Sequence, residues 1–378
     1  MIVTRKAQNL LKNIIKPRKV VVLHGARRVG KTFLLKEYLK TVEEKYIFWN
    51  GEDFAVHELL GRRSVQNYKN ILGSAKLFVI DEAQRVPEIG NVLKLIVDSF
   101  EDLKIIVTGS SAFDLANLTG EPLTGRKYEI VLYPVSESEF RQFEKPEERH
   151  DNLLQRLVYG NMPELIDISD PGDKAAYLSE LVTSYLLKDI LAFENIKNSS
   201  RMIDLLKLIA YQTGNEVSIE ELGRQIGMSK NTVEKYLDLL SKVFVIYRLN
   251  GFSRNLRKEV VKNSKWYFFD NGIRNAIIAN FNPVTLRDDR GMLWENYMMS
   301  ERIKFLGYSR VFYNRYFWRT YDKQEIDLVE EREGRLFAYE FKWKDTKIKP
   351  PTAWQKNYPD SSFKVVTTDN YSEWLNLS

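Results

Sequence analysis

Over the first 145 residues, short apolar runs alternate with stretches of helical period. Val20–Leu23, Tyr46–Trp49, Leu77–Ile80, Ile105–Val107 and Glu129–Leu132 read as buried strands. Strands covered on both faces need helices on both sides, so the pattern predicts an α/β fold built on a parallel sheet. From about 150 to 240 the period is helical nearly throughout, including an apolar-periodic stretch from Lys174 to Phe193. Ile203–Tyr211, Ser218–Ile226 and Ser229–Ser241 read as three helices, with Gly227-Met228-Ser229 as a turn and Ser229 capping the third. Val243–Leu249 and Lys265–Phe269 follow as a β-wing, which completes a winged helix-turn-helix. Beyond 290 the pattern predicts a helix (Met292–Phe305), strands near 310–318, 325–330 and 335–343, a helix near 352–357 and a last strand, Phe363–Val366. The expected domains are 1–145, 146–285 and 286–378, in line with one domain per roughly 150 residues.

Composition narrows the chemistry. With 44% hydrophobic and 12% aromatic residues among 378, the chain has ample apolar surface for real cores. The absence of cysteine excludes disulfides, thiolate zinc sites and cysteine catalysis, and His24, His57 and His150 are scattered. Any metal is therefore expected on oxygen ligands. No apolar run approaches the roughly 18 residues that cross a bilayer, and a phosphate-loop motif begins at Gly25, where a removable leader would end. A cytoplasmic address without membrane contact is the expectation. The net charge of +6 is modest, but residues 224–265 are strongly basic.

Gly25-Ala26-Arg27-Arg28-Val29-Gly30-Lys31-Thr32 fits G-x-x-x-x-G-K-[ST], and it leaves an apolar strand and opens a helical pattern at Phe33. In that context glycines let main-chain N–H groups face phosphate oxygens, Lys31 reaches the β- and γ-phosphates and Thr32 holds Mg²⁺. ATP or ADP with Mg²⁺ is the expected cofactor. Leu77-Phe78-Val79-Ile80-Asp81-Glu82 ends a buried strand in two acids: Asp81 for the metal and Glu82 to polarise the attacking water. In Thr108-Gly109-Ser110-Ser111, Ser110 is preferred over Thr108 as the polar group beside the γ-phosphate, with capping of the next helix as its competing role. Arg126, just before the last strand, reads either as an arginine finger for a neighbouring subunit, which implies a homo-oligomer, or as a solvated surface residue.

These motifs, with the Gly125-Arg126 pair, Tyr185-Leu186-Leu187-Lys188-Asp189-Ile190 and Lys265-Trp266-Tyr267-Phe268-Phe269-Asp270-Asn271-Gly272, resemble the AAA-superfamily ATPases of bacteria and archaea that carry a C-terminal domain of unknown function. The resemblance covers most of the chain and implies a P-loop NTPase sheet with helices on both faces. Phe33 departs from it, standing where that family commonly has a second threonine.

Two further constellations stand outside the motif. Lys230, Asn231, Thr232 and Lys235 on the third helix, with Arg254, Arg257, Lys258 and Lys262 on the wing loop, suit DNA phosphates, although Glu234 repels them and such modules also serve as packing units. In the C-terminal third, Glu333-Gly334 predicts a two-residue hairpin turn. Pairing around it sets Asp327 opposite Glu340, with Lys342 on the same face. Opposed like charges call for a cation, and oxygen ligands select Mg²⁺ or Mn²⁺. With Glu295 on the preceding helix and Gln355 on the following one, Asp327, Glu340 and Lys342 resemble the PD-(D/E)xK nuclease constellation, which implies a restriction-endonuclease-like α+β domain. The ordinary explanation, a solvated sheet face, stands beside it. Two functions follow: an ATPase that works on DNA through the winged helix and the nuclease-like domain, or a nucleotide-controlled switch whose C-terminal domain only docks DNA or a protein.

Overall fold

The computed structural model describes residues 2–109, 123–186, 199–253, 264–344 and 347–377. Ser110, Arg254, Arg257, Lys258, Lys262 and residues 187–193 of the periodic stretch lie outside the described residues. The chain divides into two compact units, one formed by 2–135 with 242–244 and the other by 136–241 with 245 onward.

In the N-terminal unit five strands, β1 (Val20–His24), β2 (Tyr46–Asn50), β3 (Leu77–Asp81), β4 (Lys104–Gly109) and β5 (Lys127–Val131), pair in parallel in the order β2-β3-β4-β1-β5. The Val-Val-Val-Leu and Leu-Phe-Val-Ile runs of β1 and β3 are buried along their whole length, as central strands under helices must be. Helices α1 (Lys6–Ile14), α2 (Lys31–Leu39), α3 (Phe54–Gly61), α4 (Val65–Leu72) and α5 (Ile89–Ser99) accompany the sheet. Val56, Leu60, Tyr68, Leu72, Leu93 and Ile96 of α3, α4 and α5 pack on Val20, Val22, Phe78, Ile80, Ile105 and Val107. Burying a side chain of this size contributes about 1.5–3 kcal/mol, so this layer fixes the strand ends that carry the polar residues. The expected parallel sheet is present, and β1, β3 and β4 end side by side, where open α/β sheets bind their ligands.

The early part of the second unit contains helices α6 (Arg149–Tyr159) and α7 (Pro171–Glu180). Then come α8 (Ser199–Tyr211), α9 (Ile219–Ile226) and α10 (Lys230–Lys242). Gly227 closes α9 in the left-handed region (φ 64°), and Ser229 Oγ accepts the Thr232 N–H at 3.3 Å, which caps α10 as expected. Beyond α11 (Asn271–Ile277) the long helix α12 (Arg290–Tyr308) is bolted to a strand edge: Asn296 accepts the Phe268 N–H at 2.7 Å and donates to Phe268 O at 3.1 Å.

Among the described residues of this unit one sheet of seven strands runs in the order β12-β11-β10-β9-β7-β8-β6. Its strands are β6 (Glu216–Val217), β7 (Ile246–Gly251), β8 (Ser264–Phe268), β9 (Asn314–Arg319), β10 (Glu325–Arg332), β11 (Arg335–Phe341) and β12 (Ser362–Val366). The boundary expected near 285 therefore falls between strands of one sheet. The join is the parallel pairing of β7 with β9, Asn250 with Tyr316 and Gly251 with Phe317, extended by the Phe252 N–H on Phe317 O at 2.6 Å. Phe252, Trp318, Ile326, Val329, Ala338 and Trp354 of helix α13 (Thr352–Asn357) form the core on one face. The strand expected from Val243 begins at Ile246, because residues 242–244 fold with the N-terminal unit and Phe244 takes φ 61°. Among the described residues no helix is long and apolar enough to cross a membrane.

Candidate functional site

The loop from Gly25 to Gly30 is a backbone feature before it is a side-chain one. Gly25, Arg28 and Gly30 have φ of 152°, 62° and 93°, and a Cβ on Gly25 would run into Leu132 O just past β5. Gly30 leads into α2, so the first turn of a helix begins at Lys31 with its N–H groups at the loop. Lys31 is only 6% exposed, and its ammonium bonds Gly25 O and Ala26 O, each at 3.0 Å. Val29 is buried, whereas Arg28 is exposed and the Phe33 ring is 44% exposed. The departure at Phe33 thus points away from the interior.

Asp81, at the end of β3, is gripped from two sides. Thr32 Oγ1 donates to its Oδ2 at 2.6 Å and Thr108 Oγ1, at the end of β4, to its Oδ1 at 2.5 Å. Thr108 also accepts the Glu82 N–H at 2.8 Å. Thr108, weighed in the sequence behind Ser110, therefore belongs to this site. Glu82 sits at φ 49°, and its carboxylate accepts from the Gln84 side chain at 2.5 Å. Gly51, which sequence reasoning missed, lets the end of β2 come close: its N–H reaches Asp81 O at 2.7 Å, and a Cβ there would meet Glu82 O.

The Thr32 hydroxyl and the Asp81 carboxylate fit the protein ligands that Mg²⁺ takes beside phosphates, a cation that keeps several waters rather than a protein cage. No three His, Asp or Glu side chains among the described residues are grouped to hold an ion by themselves. His24, directly before the loop, is buried edge-on to Phe244 with centroids 5.5 Å apart, and desolvation, then the Lys31 and Lys127 charges, lowers its pKa to about 4 despite Glu129. It is neutral at pH 7. Arg126 lies at the far side of its strand, with Nε and Nη2 on Asp98 at 2.8 and 3.3 Å.

The second constellation lies in the large sheet. Residues 328–332 of β10 pair with 335–339 of β11 around Glu333 and Gly334, both at positive φ (52° and 72°), the expected register. One step further the Phe341 N–H donates to Asp327 Oδ2 at 2.9 Å. On its other side β10 shifts by one residue against β9 between Ile326 and Val329. This bulge breaks the simple alternation of faces around Asp327.

Asp327 is 7% exposed, and Lys342 Nζ donates to Glu340 Oε1 at 2.7 Å. Glu340 Oε2 is buried without a hydrogen-bond partner among the described residues. Desolvation, then the Asp327 charge, raises Glu340 to about 7, and the same causes raise Glu295 to about 8. Glu295 accepts from the Tyr267 hydroxyl at 2.7 Å. Gln355 stays exposed on α13.

The sequence did not disclose Lys265. Its side chain, 2% exposed, pairs with Glu325 and adds a positive charge that opposes those of Glu295 and Asp327. Two lysines thus sit among four carboxylates. Lys230 and Lys235 are exposed on α10, where Lys230 pairs with Glu220 at 3.2 Å.

Three stretches of the chain match known families. Residues 17–141 match a family described as an AAA domain, 150–284 a domain of unknown function (DUF8612) and 290–373 another (DUF4143). An uncharacterized protein of Mycobacterium tuberculosis is 26% identical over 346 residues, which cover 90% of this chain and 74% of that protein. One of Haemophilus influenzae is 24% identical over 377 residues, covering 94% and 90%. Among solved structures, a Walker-type ATPase of Pyrococcus abyssi aligns with a TM-score of 0.48 at 18% identity over 72% of this chain and 94% of that one. The AAA-domain match over 17–141 takes in the loop, the helix start and the strand end that carry Lys31, Thr32 and Asp81.

Proposed function

We propose that the protein is a cytoplasmic, Mg²⁺-dependent ATPase that works on DNA. The observation that carries hydrolysis is the double grip on Asp81 by Thr32 and Thr108 next to the Lys31 loop. Main-chain N–H groups of 25–32 would bind the phosphates, and the Lys31 ammonium would leave its two loop carbonyls for the β- and γ-oxygens. Thr32 and Asp81 would hold Mg²⁺, which would supply charge neutralisation for the transferred phosphoryl group. Glu82, released from Gln84, would orient a water for in-line attack and take its proton, so that ADP and inorganic phosphate leave. Helices α8–α10 with the β7–β8 wing are read as a winged helix, whose exposed Lys230 and Lys235 would contact DNA phosphates together with Arg254, Arg257 and Lys258.

Multiple-turnover phosphate release with Mg²⁺, with and without duplex DNA, tests this reading. DNA-stimulated turnover lost in Lys31→Ala supports it, whereas absence of any nucleotide affinity in the intact protein ends it.

A second reading has an observation of its own. In a nuclease-like domain Asp327 and Glu340, with Glu295 and Lys342 nearby, would hold a second Mg²⁺ or Mn²⁺. Here Lys265 and Lys342 already pair with Glu325 and Glu340 and offset part of the carboxylate charge. That arrangement favours a C-terminal domain that grips or docks a partner without cutting, driven by a nucleotide switch. Tight nucleotide retention with negligible stimulation by DNA would select the switch. Plasmid cleavage with Mn²⁺, lost in Asp327→Ala and kept in Lys31→Ala, would restore the nuclease.

A further inference from the structure

We propose that Arg5 is a positioning residue of the nucleotide loop: it holds the Val29 carbonyl from behind and thereby aims the Gly30 N–H at the phosphates. The inference rests on the reading of residues 25–32 as a nucleotide site. Arg5 stands directly before α1, well upstream of the motif, and is 5% exposed. Its Nη1 donates to Val29 O at 3.0 Å and its Nη2 to Tyr133 O at 2.5 Å. A Cβ built on Gly30 would lie 3.9 Å from the same Nη1, so the guanidinium lies against the loop itself.

The geometry of one peptide unit supplies the mechanism. In a planar trans peptide the C=O and N–H point in opposite directions. Val29 C=O and Gly30 N–H belong to the same unit, so a donor that fixes the carbonyl on one side fixes the N–H on the other. The loop needs such a hold, because Arg28 and Gly30 lie at positive φ and a non-glycine residue there costs on the order of 1 kcal/mol. Arginine suits the task because its planar fork can serve two carbonyls at once, which a single ammonium does not reproduce. The second carbonyl has its own meaning. Tyr133 follows Leu132, whose carbonyl presses on Gly25, so Arg5 joins the start of α1, the loop and the chain leaving β5 into one clamp. The buried guanidinium also adds a fixed positive charge beside the place where phosphates gather.

The test measures ADP and ATP affinity by calorimetry in the intact protein for wild type, Arg5→Met, Arg5→Lys, Arg5→Ala and Lys31→Ala. Melting temperatures are taken without nucleotide. We expect Arg5→Met to weaken both nucleotides at least 10-fold, Arg5→Lys to fall between it and wild type, and millimolar methylguanidinium to restore part of the affinity of Arg5→Ala. Rescue by the small cation separates positioning from a general loss of structure, and it decides the matter if Arg5→Met melts early. Wild-type affinity in Arg5→Met or Arg5→Lys, or no rescue of Arg5→Ala, overturns the inference while leaving the nucleotide site intact. If wild type and Lys31→Ala alike bind nothing, the underlying site reading is what has failed.

Discussion

The nucleotide centre and the carboxylate centre share their ingredients: a buried acid on a strand, a second acid close by, and a lysine. They neutralise the acids by different means. Asp81 is held by two hydroxyls, and Lys31 spends its charge on main-chain carbonyls of its own loop. Those bonds are ones that phosphate and a cation can replace without stranding a buried charge. Around Asp327 the balancing groups are ammoniums, with Lys265 on Glu325 and Lys342 on Glu340. A cation entering there would have to displace one already present, with the desolvation cost that follows. The species that balances a buried acid is thus a guide to whether it awaits a ligand.

The sharpest test of the contrast is Glu82→Gln. It keeps the Gln84 contact available and removes the base, so ATP should stay bound while turnover falls about 10³-fold, within the range of general-base catalysis. Rapid-quench kinetics would measure it, and undiminished turnover would assign the base elsewhere.

Next in size is Lys265→Met, which leaves Glu325, Glu295 and Asp327 short of a cation. A loss of about 3 kcal/mol in urea melts is expected, the lower end for a broken buried pair because Glu325 is a third exposed. Millimolar Mn²⁺ should restore part of that loss and leave wild type unmoved. A wild-type melting temperature that climbs with Mn²⁺ would erase the distinction between the two centres.

Acidity offers a third probe. Glu295 and Glu340 have folded pKa values of about 8 and 7, raised above the ordinary 4.5, so the folded state binds more protons than the unfolded chain between those limits. Stability from this source is complete below about pH 4.5 and is lost as pH rises toward 8. Glu295→Gln should flatten that slope in melts taken from pH 5 to 8. The smallest effect belongs to Arg126→Ala. Its exposed pair with Asp98 is worth under about 1 kcal/mol, and turnover should not change. A drop of 10³-fold would instead reveal a finger acting between subunits.

How far the sequence discloses these sites depends on the range of the interaction. The loop, its helix and the Asp81-Glu82 strand end are local patterns, and the β10–β11 register follows from a turn two residues long. Thr108 and Gly51 act through close approach between strands distant in sequence, which no local period encodes. Lys265 reads as one more basic residue of a wing, because nothing nearby in sequence announces the carboxylates it meets. Arg5 is hidden for the same reason. The fusion of β7 with the C-terminal strands rests on two paired residues of β7 and β9, too short a signal to separate from a loop.

That short seam has a practical corollary. A chain cut near residue 285 would strip β9 from β7 and leave raw main-chain donors and acceptors along an unprotected border, an invitation to clump. The last two family segments are therefore expected to travel, express and evolve as an inseparable pair.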